Sequence, residues 1–269
     1  MQKIIEDITS KELLPALEAN MIAFRSTYGR ANGCTLHATS DVIWFYTGIP
    51  VPAFNGVLFA QLNPDAIKAT VDRLQAKILE QGAPALWWIG PQSKPAQLGS
   101  LLERHGLHPV GEVPGMAIEL ARVESQPEML PGFTIQKVHT KEMQAVWAQI
   151  AAVGLGFSDS AANALVHLEA TLSDPKYEVQ RYLGFLNGIP IATSALAVDS
   201  GVAGIYVVAT VPSAREKGIG RAMTVMPLLE ARQLGYRVGI LQASAMGYSL
   251  YQKIGFKDVC LYRLYIQSA

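Results

Sequence analysis

Between Thr210 and Phe256 the chain reads T-V-P-S-A-R-E-K-G-I-G-R-A-M, then a helical stretch, a short strand and L-Y-Q-K-I-G-F. Arg215, Gly218 and Gly220 form an R-x-x-G-x-G turn between an apolar strand and an amphipathic helix. A turn of this kind aims free backbone N–H groups at one point ahead of a helix N-terminus. Anions bind there, because the first helical N–H groups lack partners and the helix dipole is positive. The two glycines admit a phosphate close to the backbone and tolerate positive φ. The plainer alternative is that they only serve a tight strand–helix turn. Two familiar phosphate motifs are excluded. A P-loop needs G-K-S/T at the end of its turn, and Gly220 is followed by Arg221-Ala222. A dinucleotide fingerprint needs a third small residue three positions on, where Met223 stands.

The turn and the later segment Leu250, Tyr251, Gly255, Phe256, in that order and with a short strand between them, resemble the two signatures of the GNAT superfamily of N-acetyltransferases. The resemblance covers roughly residues 132–268. It implies an α/β fold: a mixed, mostly antiparallel sheet flanked by helices. It implies acetyl-CoA as cosubstrate and no metal. By position relative to Pro212, the backbone of Val208, Ala209 and Thr210 would pair with the pantetheine arm, the side chains themselves being ordinary strand residues. The diphosphate would meet the turn from Arg215 through Glu216, Lys217, Gly218, Ile219 and Gly220 to Arg221. Arg221 would either add charge to a phosphate or be a solvated helix residue. Tyr251 aligns with the tyrosine that protonates the departing thiolate, against the simpler reading of a packing tyrosine. A phenol suits the acid role because it stays protonated at neutral pH and donates one hydrogen bond.

Two departures from the family pattern stand out. An asparagine that often contacts pantetheine is replaced by Ser244-Ala245-Met246-Gly247, where Ser244 would take over. No carboxylate stands on the strands G-I-Y-V-V-A-T and V-G-I-L-Q-A-S that usually carry a general base. Tyr206 and Gln242 are the polar candidates there, and His167 lies on a helix near the acceptor's usual entry.

Stepwise outward from the site, the elements that must hold it follow from periodicity. Phe133–Val138 alternates as a strand, and 141–157 and 162–173 read as helices. Strands follow at 179–186, 189–198 and 202–211, joined at Asn187-Gly188 and Asp199-Ser200-Gly201. The next helix should bury Ile219, Ala222, Met223, Met226 and Leu229 on one face, bend at Pro227 and close at Gly235. A strand at 237–243, a short helix at 248–254 and a strand at 256–266 complete this half.

At 269 residues the chain suits two compact domains. The polar, proline-bearing run 121–132 reads as a linker. The first half repeats the plan: a strand at 56–62, a helix opened by Asn63-Pro64-Asp65 and ended by Gly82, and a strand Leu86-Trp87-Trp88-Ile89. A helix at 98–105 and a strand from Gly106 to Leu120 follow, with L-L-E-R-H-G-L standing where L-Y-Q-K-I-G-F stands later. The expectation is a diverged duplication: residues 1–120 without the R-x-x-G-x-G turn, and 133–269 binding CoA. An unrelated α/β domain is the alternative for the first half.

Formal net charge is zero with dispersed basic residues, which argues against a nucleic-acid partner. Cys34 and Cys260 match no metal spacing. No signal-peptide core follows Met1, and the apolar run 145–157 is too short to span a bilayer. A cytoplasmic N-acetyltransferase acting on a small amine or amino acid is the leading expectation, with oligomeric state open. The alternatives are a non-catalytic acyl-CoA-binding module and another acyl transfer, such as one in thiol-cofactor biosynthesis.

Overall fold

A computed structural model describes residues 3–63, 67–125, 129–172 and 179–267; the expected helix start at Pro64-Asp65 and the end of the 162–173 helix at Ser173 lie outside them. Helix α1 (Leu13–Gly29) is followed by β1 (Thr35–Ala38), β2 (Val42–Tyr46), β3 (Asn55–Ala60), α2 (Ile67–Gln81), β4 (Leu86–Ile89), α3 (Leu98–Arg104) and β5 (Leu107–Glu119). Then come β6 (Phe133–Lys137), α4 (Lys141–Leu155), α5 (Asp159–Thr171), β7 (Val179–Leu186), β8 (Ile189–Asp199) and β9 (Val202–Thr210). The chain closes with α6 (Ile219–Gln233), β10 (Val238–Gln242), α7 (Tyr248–Ile254) and β11 (Lys257–Gln267).

The described strands make one sheet in the order β1-β2-β3-β4-β11-β5-β10-β9-β8-β7-β6. Every neighbouring pair is antiparallel except β3/β4 and β9/β10. The succession strand, strand, strand, helix, strand, helix, strand runs twice, from β1 to β5 and from β7 to β11. The last strand of each run leaves its own run. β5 pairs with β10, β11 pairs with β4, and the two lie side by side from Lys257↔Ala117 to Gln267↔Leu107. Each half therefore completes the sheet of the other.

Local chemistry accounts for the punctuation. Asn187 (φ 50°) and Gly188 (φ 81°) make the β7–β8 turn, and Ser200 (φ 54°) and Gly201 (φ 80°) the β8–β9 turn. The Thr140 side chain accepts from Met143 N (3.2 Å) to start α4. Ser158 accepts from Ala161 N (3.3 Å), so α5 begins before the expected Ala162. The expected core face of α6 needs one correction. Met226 is exposed, while Ala222, Met223, Val225, Leu228 and Leu229 are buried. The helix is enclosed by β8 and β9, by α7 and by the turn at Leu120–Arg122, so its buried set wraps around it. Helix α1 had no clear signature, because Glu18, Asn20, Ser26 and Thr27 interrupt its apolar pattern although all four are buried.

Helices α1, α4 and α5 share one core with the centre of the sheet; α6 and Tyr251 belong to a second, and α2 and α3 to a third.

Candidate active site

Strands β9 and β10 pair only through Ala203↔Gly239 and Gly204↔Ile240. Beyond these two pairs they part, which leaves the C-terminal half of β9 without a strand neighbour on that side among the described residues. On its other side β9 bulges. The register with β8 passes from Thr193↔Ala209 to Ala195↔Tyr206, so Val207 and Val208 stand opposite Ser194 alone. Val207 has φ 49°, a left-handed conformation that a β-branched residue adopts only under constraint, at about 1–3 kcal/mol. The Thr193 hydroxyl donates to Val207 O (3.0 Å) and holds the bulge. Backbone strain of this kind clusters at active sites and ligand clamps. Val208 and Thr210 are half-buried there and Ala209 is buried.

The chain then enters the glycine turn. Glu216 (φ 64°) and Gly218 (φ 77°) are both left-handed, and a side chain added at Gly218 would meet nothing within 4 Å. Gly218 is thus required by conformation, and open space lies in front of it. At Gly220 an added Cβ would press on Leu250 of α7 at 3.1 Å. The bond from Ala222 N to Gly218 O (3.2 Å) opens the α6 ladder, so the preceding N–H groups form the free first turn of Ile219, Gly220 and Arg221.

The side chains of the motif serve the backbone. The Arg215 guanidinium donates to Thr210 O (3.2 Å) and to Gly154 O (2.9 Å), tying the end of β9 and the end of α4 to the turn. Lys217 reaches Ser213 O (3.3 Å), and Arg221 is paired with Glu124 at 2.6 Å. The Ser244 hydroxyl accepts from Gly247 N (3.2 Å) at the start of α7 and is exposed.

Tyr251 is buried against Phe256, with ring centroids 5.9 Å apart, and closely abuts Gly247. Burial alone pushes its hydroxyl up to about 12, so it keeps its proton throughout the neutral range. Gln242, at the end of β10 beside the split, has both amide atoms buried and without a partner among the described residues. Tyr206 donates its hydroxyl to Asn20 Oδ1 (2.7 Å) and stacks on Phe24 at 4.0 Å, and burial keeps it protonated, which removes it as a base. His167 is on the exposed face of α5. The described residues hold no cluster of three or more metal-ligating side chains.

The corresponding split in the first half, between β3 and β4, is closed. Lys94 N donates to Ala60 O (2.8 Å), Leu62 N donates to Lys94 O (3.0 Å), and Gln61 Nε2 donates to Gln92 O (3.0 Å). The segment after β4 folds back along the end of β3 and fills the edge whose counterpart on β9 stays open.

No protein-family model and no curated sequence matches the chain. Solved structures do. The GCN5-related N-acetyltransferase from Kribbella flavida is 18% identical and superposes with a TM-score of 0.67 over 93% of this chain and 96% of its own. A functionally unknown conserved protein from Staphylococcus epidermidis is 16% identical, with a TM-score of 0.64 over 93% and 98%. A tandem GNAT protein from the clavulanic acid biosynthesis pathway is 9% identical, with a TM-score of 0.63 over 95% and 93%. At these identities the likeness is one of architecture: the chain has the GNAT fold, as the two sequence signatures implied.

Proposed function

We propose that the protein is an N-acetyltransferase that moves an acetyl group from acetyl-CoA to the amine of a small molecule or amino acid by direct attack. The observation that carries this reading is the strained bulge at Val207 beside the β9/β10 split, in line with the free N–H groups of the α6 turn. Backbone groups of Val208, Ala209 and Thr210 would hold the pantetheine arm, and the turn from Glu216 to Arg221 the diphosphate. Acetyl-CoA supplies the activated thioester. Tyr251 retains a proton at neutral pH and gives it to the leaving thiolate. Arg215 keeps strand and turn in register through its bonds to Thr210 O and Gly154 O.

In this reading residues 133–269 bind CoA, 121–132 link the halves, and 1–120 are a second GNAT copy that binds none. The closed β3/β4 edge and the missing glycine turn support that division. No described helix is long and apolar enough to cross a membrane. A cytoplasmic location and a small acceptor rather than a nucleic acid remain part of the proposal, on the balanced charge.

Calorimetry with acetyl-CoA, followed by thiol release across a panel of amines, tests it. One equivalent bound per chain and amine-dependent thiol release are expected. Two equivalents, or binding without turnover on any amine, would overturn the assignment.

A further inference from the structure

Helix α1, in the half without a glycine turn, carries Glu18 and Arg25 seven residues apart. That spacing puts them on one face, about 10 Å apart along the axis. Glu18 is 1% exposed. Its Oε2 accepts from Gln92 N (3.0 Å), while the buried Oε1 has no partner among the described residues. The carboxylate lies against Gly90 of the segment after β4, where the Tyr262 ring of β11 also packs. Arg25 donates through Nη1 to Ala53 O (3.2 Å) and lies 4.1 Å above the Trp88 ring, but its buried Nε has no partner and no described carboxylate pairs with it. The Tyr262 hydroxyl, also buried, faces the Cys260 thiol without a hydrogen bond of good geometry.

These groups share one enclosure. Tyr262 is within electrostatic reach of Glu18, Arg25, Cys260 and Tyr206. Trp88 and Tyr262 pack edge to face at 5.9 Å, and Phe24 stacks on Tyr206. A buried carboxylate oxygen and a buried guanidinium N–H left unpaired in one aromatic enclosure are costly for folding alone, and they call for a ligand of opposite polarity at each end. The enclosure also borders the split. Tyr206 immediately precedes the Val207 bulge, and Cys260 presses on Gly115, the register partner of Gln242.

We propose that this cluster is the acceptor site, taking an extended amino carboxylate whose anionic end lies on Arg25 and whose amine lies at Glu18. The inference rests on the acetyltransferase reading above. The acceptor's ammonium gives a proton to the Glu18 carboxylate. The neutral amine then forms the C–N bond to the acetyl carbon as the C–S bond breaks, and the thiolate takes the Tyr251 proton. The acylated nitrogen gives up its second proton, which through solvent restores Tyr251, and Glu18 releases the first to solvent. Burial pushes Glu18 up to about 7, with the Gln92 N–H opposing. Cys260, pushed to about 12, and Tyr262, raised well above its ordinary value, face it from β11 and stay neutral. Glu18 is therefore the member of the cluster that changes charge near neutrality.

The test uses the full chain with glycine, γ-aminobutyrate and ε-aminocaproate, each amino acid longer than glycine set against its decarboxylated counterpart, propylamine or pentylamine. An extended amino carboxylate should exceed its counterpart by tenfold or more in kcat/KM, and should exceed glycine. Arg25→Met should erase that preference, and Arg25→Lys should retain part of it. Glu18→Gln should lower kcat/KM by about two to four orders of magnitude and remove an acidic limb near pH 7. Tryptophan fluorescence, with Trp88 under Arg25, reads binding of ε-aminocaproate in the absence of acetyl-CoA. Saturable binding that Arg25→Met abolishes, without any turnover, supports the cluster and sinks the acetyltransferase reading. Turnover with equal kcat/KM for the paired compounds, or a Glu18→Gln variant with an unchanged pH profile, overturns the cluster and leaves the acetyltransferase reading standing.

Discussion

Replacing Glu18 by glutamine should stabilise the protein, and only at neutral to alkaline pH. Its carboxyl titrates at about 7 when folded against an ordinary 4.5, because burial disfavours the charged form. The sign follows from proton counts. Between those values the folded chain binds more protons than the unfolded chain, so stability falls as pH rises through the window. Below 4.5 both states are protonated and Glu18 contributes no penalty. Above 7 the penalty is complete, and a shift of this size corresponds to about 3 kcal/mol. Glutamine keeps the acceptor for Gln92 N and the shape, but carries no charge to desolvate. Urea unfolding of variant and wild type at about pH 8.5 and at about pH 4.5 isolates the effect, since other titrating groups cancel in the difference. The expected gain is about 3 kcal/mol at the higher pH, or roughly 5–10 °C in Tm, and close to none at the lower. An equal gain at both pH values, or destabilisation at the higher one, would refute the account of Glu18 as a buried carboxylate without a cation. A gain of the expected form, together with lost turnover, would mark Glu18 as a site where stability is given up for chemistry.

Three further outcomes are expected. Tyr251→Phe should slow thiol release at saturating acetyl-CoA by about two to four orders of magnitude, with acetyl-CoA affinity nearly unchanged; wild-type turnover would make Tyr251 a packing residue. Gly218→Val forces a β-branched side chain to φ 77°, at about 1–2 kcal/mol, with nothing for its Cβ to strike. A slightly lowered melting temperature with acetyl-CoA binding lost is expected by calorimetry, and retained binding would move the diphosphate elsewhere. Because β5 and β11 are exchanged between the halves, residues 1–125 and 129–269 should each aggregate when expressed alone and yield soluble protein when co-expressed. A soluble, fully active carboxyl half would contradict that dependence.

Short-range chemistry was legible in the sequence. The glycine turn, the Asn187-Gly188 and Ser200-Gly201 hairpins and the α7–β11 segment rest on φ preferences and spacings within a few residues, and the structure reproduces them. The place of Tyr251 was readable for the same reason. Glu18 left a weak trace, a single acid in the apolar run L-L-P-A-L-E-A-N-M. Its burial had no local cause, so the trace had no direction.

What the tertiary structure alone decided depends on partners far apart in the chain. The bulge at Val207 arises from the register of β9 with β8 and the Thr193 hydroxyl, and V-V-A-T by itself reads as regular strand. Arg215 reads from sequence as part of the diphosphate turn, and its bonds to Gly154 O and Thr210 O depend on the arrival of α4. The closure of the first split needs Lys94 to fold back on Ala60, and the commitment of Tyr206 needs Asn20 from the other half. Side-chain period and turn chemistry specify each strand and its faces, but they carry no information on which edge a strand joins. The exchange of β5 and β11, which brings Tyr262 of β11 together with Glu18 at Gly90, is such a choice of edge. It is made by the burial and hydrogen bonding of the whole sheet.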